Sequence, residues 1–333
     1  MTDKKKNLKL SKKIKYSIEY MPIAFLSKTI GILPRKAVVA LANFIGFWIF
    51  YFPTSYRLIT ANIKVAFPEK NSSEIRKIGL KSMQSIILMF FESFWFRADS
   101  KRIEQYVHLT PEVLDEFAHT ENTKTPMLLV VPHLGNWEIV GQTSPYYLST
   151  PMAVVAKKFR NPYLADFISN SRGEFGNIVI DSKGAARQML KCLKKNMIVC
   201  TLIDQNTRVR DGGVFIDFLG LPVPSSKIAA FICKKMPNVK VMVGGGRRTS
   251  DGNIISFIKP LPKKYSEYDN DKDFIQDIMT VTGEVIKKYP EQYLWFYKRF
   301  QNISPDATEE ELARYPYYAI HPHPRFFDGT LEK

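Results

Sequence analysis

Cysteine is scarce in this chain of 333 residues. There are three, Cys192, Cys200 and Cys233, an odd number with no Cys-x-x-Cys pair. That argues against a disulfide framework and a thiolate zinc site, and fits a reducing compartment. Seventeen glycines and twenty prolines are too few for a collagen-like or linker-like chain. No serine sits in Gly-x-Ser-x-Gly, which disfavours a serine hydrolase. Neither Gly-x-Gly-x-x-Gly nor a Walker A motif occurs, so nothing points to a nucleotide site. Mean hydropathy is −0.17, too low for a polytopic membrane protein. Acidic residues are also short: 32 against 48 Lys and Arg, a formal net charge of +16. Such an excess suits nucleic acid, anionic lipid or an acidic partner protein.

The charge is unevenly placed. Residues 1–16 hold seven lysines against one aspartate. Further on, no charged residue occurs between Lys36 and Arg57. Pro53 predicts a helix stop, which leaves residues 37–52 as an apolar helix just short of the ~20 residues that cross a bilayer. A basic arm beside an apolar helix is a two-signal pattern for attachment to an anionic membrane, whether the helix spans it or lies on it. Residues 72–98 predict one or two helices capped by Ser72 or Ser73.

From residue 127 short apolar runs alternate with helical stretches. Strands are expected at 127–131, 152–156, 177–180, 198–203, 239–246 and 253–259. Helices are expected at 184–195, 225–236 and 271–288. This predicts an α/β fold, a central mixed sheet flanked by helices, behind an N-terminal membrane-associating helical segment. The expected division is a basic arm at 1–16, the membrane-associating segment at 17–56, a catalytic domain at 57–302 and a C-terminal extension at 303–333.

Five histidines are present, and His133 stands out. It follows the apolar run Met127–Val131 and Pro132, and opens the stretch His133-Leu134-Gly135-Asn136-Trp137-Glu138. Sites in α/β folds gather at the carboxyl ends of strands. His133 and Glu138 converge if the histidine sits in the strand-exit loop and the glutamate in the first turn of the next helix, with Gly135 making the turn. A carboxylate beside an imidazole fixes its tautomer and primes a general base. Asp204, Gln205 and Asn206 end another apolar run. Ser225 or Ser226 reads most simply as a helix N-cap. His321 and His323 fall short of a catalytic metal set, and His108 and His119 read as surface residues.

The spacing His133-x4-Glu138, spelled Val-Pro-His-Leu-Gly-Asn-Trp-Glu, resembles the motif of the glycerolipid and lipid A acyltransferase superfamily. It is most similar to the bacterial lipid A biosynthesis acyltransferases. Other blocks follow in that family's order over roughly residues 35–302. They are Arg57 to Phe67 with Pro68-Glu69, Arg172 with Gly176, Asp204-Gln205, Gly213 to Pro222, and Tyr293 to Phe300. Asp217, Leu219 and Tyr297-Lys298 depart from the usual residues, which bears on acyl-chain preference.

The resemblance implies transfer of a fatty acyl group from an acyl carrier protein thioester to a hydroxyl of a lipid A precursor. It implies the cytoplasmic face of a bacterial inner membrane and no cofactor or metal. In that reading His133 is the general base and Glu138 orients it. Gly135, Asn136, Arg172, Asp204 and Gln205 bind substrate or the oxyanion, and Phe215, Phe218 and Leu219 are candidates for the acyl groove. Acylation of another glycolipid or lysophospholipid, with acyl-CoA as donor, stays open. A non-enzymatic polyanion binder would need basic–aromatic interleaving, which the chain lacks.

Overall fold

The computed structural model describes residues 9–139, 152–156, 160–173 and 177–327, and for 168–173 the backbone alone. The described elements begin with helices α1 (Leu10–Ile32), α2 (Arg35–Tyr51), α3 (Pro53–Ala66), α4 (Ser72–Ala98) and α5 (Lys101–Tyr106). There follow β1 (Val107–His108), α6 (Pro111–Thr123), β2 (Met127–Val130), β3 (Ala153–Ala156), α7 (Pro162–Gly173), β4 (Ile178–Asp181), α8 (Ala185–Leu193) and β5 (Ile198–Thr201). The rest are β6 (Gly213–Phe218), β7 (Leu221–Ser226), α9 (Ile228–Lys235), β8 (Lys240–Arg248), β9 (Ile254–Pro260), α10 (Asp271–Lys288) and α11 (Glu309–Arg314).

Seven strands form one mixed sheet in the order β1-β9-β8-β2-β5-β3-β4. All described pairings are parallel except β8 with β9. Strand β2 lies between β5 and β8, and all four of its residues are buried. A strand covered on both faces needs no polar alternation, which is why it reads as an unbroken apolar run. Its side chains still alternate. Leu128 and Val130 join the large core under α3, α4, α8, α9 and α10, while Met127, Leu129 and Val131 face a second core with Val113 and Phe117 of α6. Strands β6 and β7 form a separate antiparallel ribbon, absent from the sequence reading. Its two-residue turn holds Leu219 and Gly220 at positive φ, 55° and 92°. Such a turn matches the twist of a hairpin.

Two local expectations are corrected. The cap of α4 is Asn71, not Ser72 or Ser73. Its Oδ1 accepts from Ser73 N–H at 2.9 Å and Glu74 N–H at 3.1 Å, and Glu74 answers on Asn71 N–H at 3.0 Å. That reciprocal pair satisfies helix-end donors that a serine inside the helix cannot reach. The helix expected at 225–236 starts at Ile228, because Ser225 and Ser226 complete β7. Pro53 both ends α2 and begins α3, where its missing N–H costs nothing. The two helices meet at 88°. No single described helix is long and apolar enough to cross a membrane.

Candidate active site

Strands β2 and β5 are parallel, with Val130 opposite Thr201. Three residues beyond each partner stand His133 and Asp204. Equal advance along two paired strands brings both to one height above the sheet. There Asp204 Oδ1 meets His133 Nδ1 at 2.7 Å, and Asp204 Oδ2 accepts the His133 backbone N–H at 2.9 Å. Gln205 Nε2 lies 3.2 Å from His133 Nε2. One tautomer satisfies both ring contacts: Nδ1–H donates to the carboxylate, and Nε2 accepts from the Gln205 amide. The nitrogen that a general base uses is therefore the one facing Gln205.

Asp204 is buried, and burial alone would raise its carboxyl. The neighbouring His133 and, more distantly, Arg299 outweigh that and hold it below the usual range. Burial and then the Asp204 carboxylate push the Tyr293 phenol well up.

The loop carrying His133 is clamped on both sides. His133 O accepts from Leu294 N–H at 3.0 Å, and Gly135 N–H donates to Gln292 O at 2.9 Å. Gly135 has φ +65° and packs on β8 so closely that a Cβ there would stand 2.0 Å from Gly246 O. Only glycine fits this approach. Asn136 is buried and caps the helical turn that follows, its Oδ1 accepting from Ile139 N–H at 3.0 Å. Its Nδ2 donates to Glu92 Oε2 at 2.7 Å.

Glu92 is a fully buried carboxylate of α4, missed in the sequence reading. It also pairs with Arg35 at the start of α2 and with Arg248 at the end of β8. Burial would raise its carboxyl, but Arg248 and then Arg35 keep it low. A signal was present: Glu92 is the lone charge in the stretch Ile86-Ile87-Leu88-Met89-Phe90-Phe91-Glu92-Ser93-Phe94-Trp95-Phe96. Isolated buried charges are paired.

Under His133 opens a cavity of about 480 Å³, between the sheet and α6. Glu138, Trp137 and Gln205 share its wall with His133, and its depth is lined by Leu109, Val113, Phe117, Leu129, Val154 and Cys200 among others. Burial pushes the Cys200 thiol up to about 12, which makes it inert at neutral pH.

Several expected roles shift. Glu138 shares the cavity with His133, while the carboxylate on Nδ1 is Asp204. Asp204 accepts hydrogen bonds and so is not an oxyanion donor. The backbone N–H groups of Leu134, Gly135 and Asn136 are taken by the carbonyls of Pro132, Gln292 and Gly246. They are not free for an oxyanion, and Gly135 and Asn136 instead shape the loop. Phe215, Phe218 and Leu219 do not line the cavity. Phe218 and Leu219 are buried in the main core, and Phe215 packs on Phe326 and Phe327. They sit on the β6–β7 ribbon, away from the wall of the cavity. Arg172 lies in α7, its side chain outside the described residues, as is Gly176 altogether.

The remaining sequence blocks meet one another. Asn62 Nδ2 donates to Trp295 O at 2.7 Å and Tyr297 O at 2.8 Å. Buried Arg299 donates to Asn206 Oδ1 at 2.8 Å, to Pro224 O at 2.9 Å and to Ser225 Oγ. Ser225 is thus an anchor for this guanidinium rather than a helix cap. Arg57 lies 4.3 Å from the Tyr317 ring centre.

Residues 4–302 match the family described as Bacterial lipid A biosynthesis acyltransferase. The chain belongs to that family. It is 22% identical to the Lipid A biosynthesis lauroyltransferase of Escherichia coli (strain K12), over 74% of this chain and 78% of that one. It is 21% identical to the Lipid A biosynthesis palmitoleoyltransferase of the same strain, over 72% of this chain and 76% of the other. The Lipid A biosynthesis acyltransferase of Shigella flexneri gives the same identity and coverage. Family membership makes this an enzyme that transfers acyl groups in lipid A biosynthesis.

Proposed function

We propose that the chain moves a fatty acyl group from an acyl carrier protein thioester to a hydroxyl of a lipid A precursor, at the cytoplasmic face of a bacterial inner membrane. The observation that carries this reading is the hydrogen-bonded His133–Asp204 pair at the wall of a deep apolar cavity. The acyl chain fills the cavity, whose volume falls within the roughly 300–1,000 Å³ of small-ligand sites. The thioester carbonyl then rests near His133.

The acceptor hydroxyl displaces the Gln205 amide from Nε2 and gives up its proton there as its oxygen attacks the thioester carbonyl. Asp204 holds the ring and stabilises the imidazolium. Glu138 adds a second carboxylate to the same wall. The freed Gln205 amide turns to the developing oxyanion, with the Arg172 guanidinium as a second donor or a clamp on an acceptor phosphate. Collapse of the intermediate breaks the C–S bond, and the imidazolium returns its proton to the departing thiolate. Basic surface outside the N-terminal arm offers complementary potential to an acidic carrier protein and to acceptor phosphates.

The test is incubation of the purified protein with acyl carrier protein thioesters and with acyl-CoA, each against several lipid acceptors, with products read by mass spectrometry. The expected result is acylation of the lipid A precursor from the carrier protein thioester, lost in His133→Ala. Absence of that product with every donor overturns the proposal. Product from acyl-CoA alone overturns the assigned donor.

A further inference from the structure

Eleven of the nineteen large apolar side chains exposed among the described residues lie between Leu10 and Phe52. They are ordered. On α1, Leu10, Ile14, Ile18, Met21 and Phe25 are 54–73% exposed. Their spacing of three or four residues puts them on one face of the helix. Lys15 flanks that row and Lys28 falls within it, while Lys9 and Lys12 are exposed at the start of the helix. The helix has one acid, Glu19, and that is bonded to Asn161 Nδ2 at 3.0 Å. On α2, Phe44, Phe47, Trp48 and Tyr51 are exposed and touch ring to ring, with centres 4.7–6.3 Å apart. Phe52 continues that patch.

The opposite faces of both helices are committed to the body of the protein. Tyr20 of α1 packs on Tyr163 and Phe167 of α7. Val38, Ala42, Gly46 and Phe50 of α2 are buried, and a Cβ on Gly46 would stand 2.8 Å from Gln84 Cα of α4. Arg35 is tied to Glu92, and Glu92 to Asn136 of the His133 loop.

A span by α2, alone or with α3, is incompatible with this packing. Helix α2 has 17 residues. That is about 25 Å at 1.5 Å per residue, short of a hydrocarbon core of about 30 Å. With α3 the pair is long enough by composition, but it is bent by 88°. The inner face of α3 holds Leu58, Ile59 and Ile63 in the main core, and Asn62 bonded to the backbone of Trp295 and Tyr297. Drawing the pair into lipid would strip that core. An exposed apolar row on α1 and an exposed aromatic cluster on α2 mark an interaction surface, and the lysines of α1 select an anionic one.

We infer that α1 and α2 lie in the plane of an anionic lipid leaflet, with their exposed apolar side chains at the headgroup–acyl boundary and their lysines among the headgroups, and that no segment from Leu10 to Ala66 crosses the bilayer. This deepens the reading of the chain as acting at a membrane, and it does not depend on the acyl-transfer chemistry. The lipid-facing helices and the His133 loop then move as one body, through Arg35, Glu92 and Asn136.

Two measurements on the full chain test it, neither of which reads acyl transfer. In flotation with phosphatidylglycerol–phosphatidylethanolamine vesicles, the chain should rise with the lipid and stay behind with phosphatidylcholine alone. Ile18→Glu combined with Phe25→Glu should lower the bound fraction at least about tenfold while leaving the unfolding temperature in place, because both side chains face solvent. Lys12→Glu with Lys15→Glu should weaken binding to the anionic vesicles. Undiminished binding in the Ile18/Phe25 double variant overturns the face. For topology, Ser11→Cys and Ser72→Cys flank the region, and the native cysteines are all buried. A membrane-impermeant maleimide should label both sites from the same side of sealed membrane vesicles. Labelling from opposite sides shows a span and overturns the in-plane arrangement. A chain that docks as stated yet transfers no acyl group removes the chemistry and leaves the docking standing.

Discussion

Asp204 grips His133 twice, by the ring at Nδ1 and by the backbone N–H. A carboxylate that holds both ends of one residue fixes the rotamer as well as the tautomer. Asp204→Asn keeps the shape but presents the wrong proton inventory to Nδ1, so turnover should fall by about 10³- to 10⁴-fold, as when a triad aspartate is neutralised. Glu138→Gln, in the wall of the same cavity, should cost less if Asp204 is the orienting group. Steady-state kinetics of the two variants decide between them; a larger loss in Glu138→Gln would return the orienting role to Glu138.

Phe117 lines the cavity from the middle of α6. Helix α6 runs down from Thr110, whose N–H bonds Ser256 Oγ at 2.9 Å, to the entry of β2, so Phe117 lies deeper than Val113 and Leu109. Phe117→Leu should shift the acyl chains in the product toward greater length. It should destabilise by less than the about 3–5 kcal/mol of truncating a buried Phe to Ala. Phe218→Leu, in the main core, should destabilise without changing the product. Mass spectrometry of the acylated lipid reads both.

Gly135→Ala forces a methyl into the Gly246 carbonyl and onto a positive φ. The loop must shift, and with it His133. Turnover should drop at least about 10²-fold, the scale of a 1 Å displacement of catalytic groups. Melting by circular dichroism should show a folded chain of reduced stability.

Acid should unfold this protein through two buried carboxylates. Asp204 and Glu92 both titrate below their ordinary range in the folded state. Stability from a lowered carboxyl is complete above the unfolded value of about 4 and is lost as pH falls through the folded value. The melting temperature should therefore hold level from pH 7 to 5 and fall below about pH 4. Glu92→Gln should flatten the acid limb while lowering stability at every pH, since it leaves Arg35 and Arg248 facing a neutral partner.

His133 is legible in the sequence because a strand exit followed by Gly135 is a local pattern. Asp204, at another strand exit, is legible for the same reason. What joins them is the pairing of β2 with β5, a relation across about seventy residues that no periodicity records. The candidates expected for an acyl groove, Phe215, Phe218 and Leu219, fall outside the cavity because an apolar residue looks alike in a core and in a cavity wall. Phe218 is core; Phe117, no more conspicuous in the sequence, is wall. Most of α1 lies in the helical segment expected at 17–56; its start at Leu10 falls in the expected basic arm, because the lysines there mask the apolar residues spaced between them.

The His133 loop carries a further consequence. Its clamps are Gln292 and Leu294, and Asn62 waits for Trp295 and Tyr297. During synthesis α1 and α2 emerge well before the clamps. A nascent chain can thus present the docking face proposed for α1 and α2 before its base is locked in place.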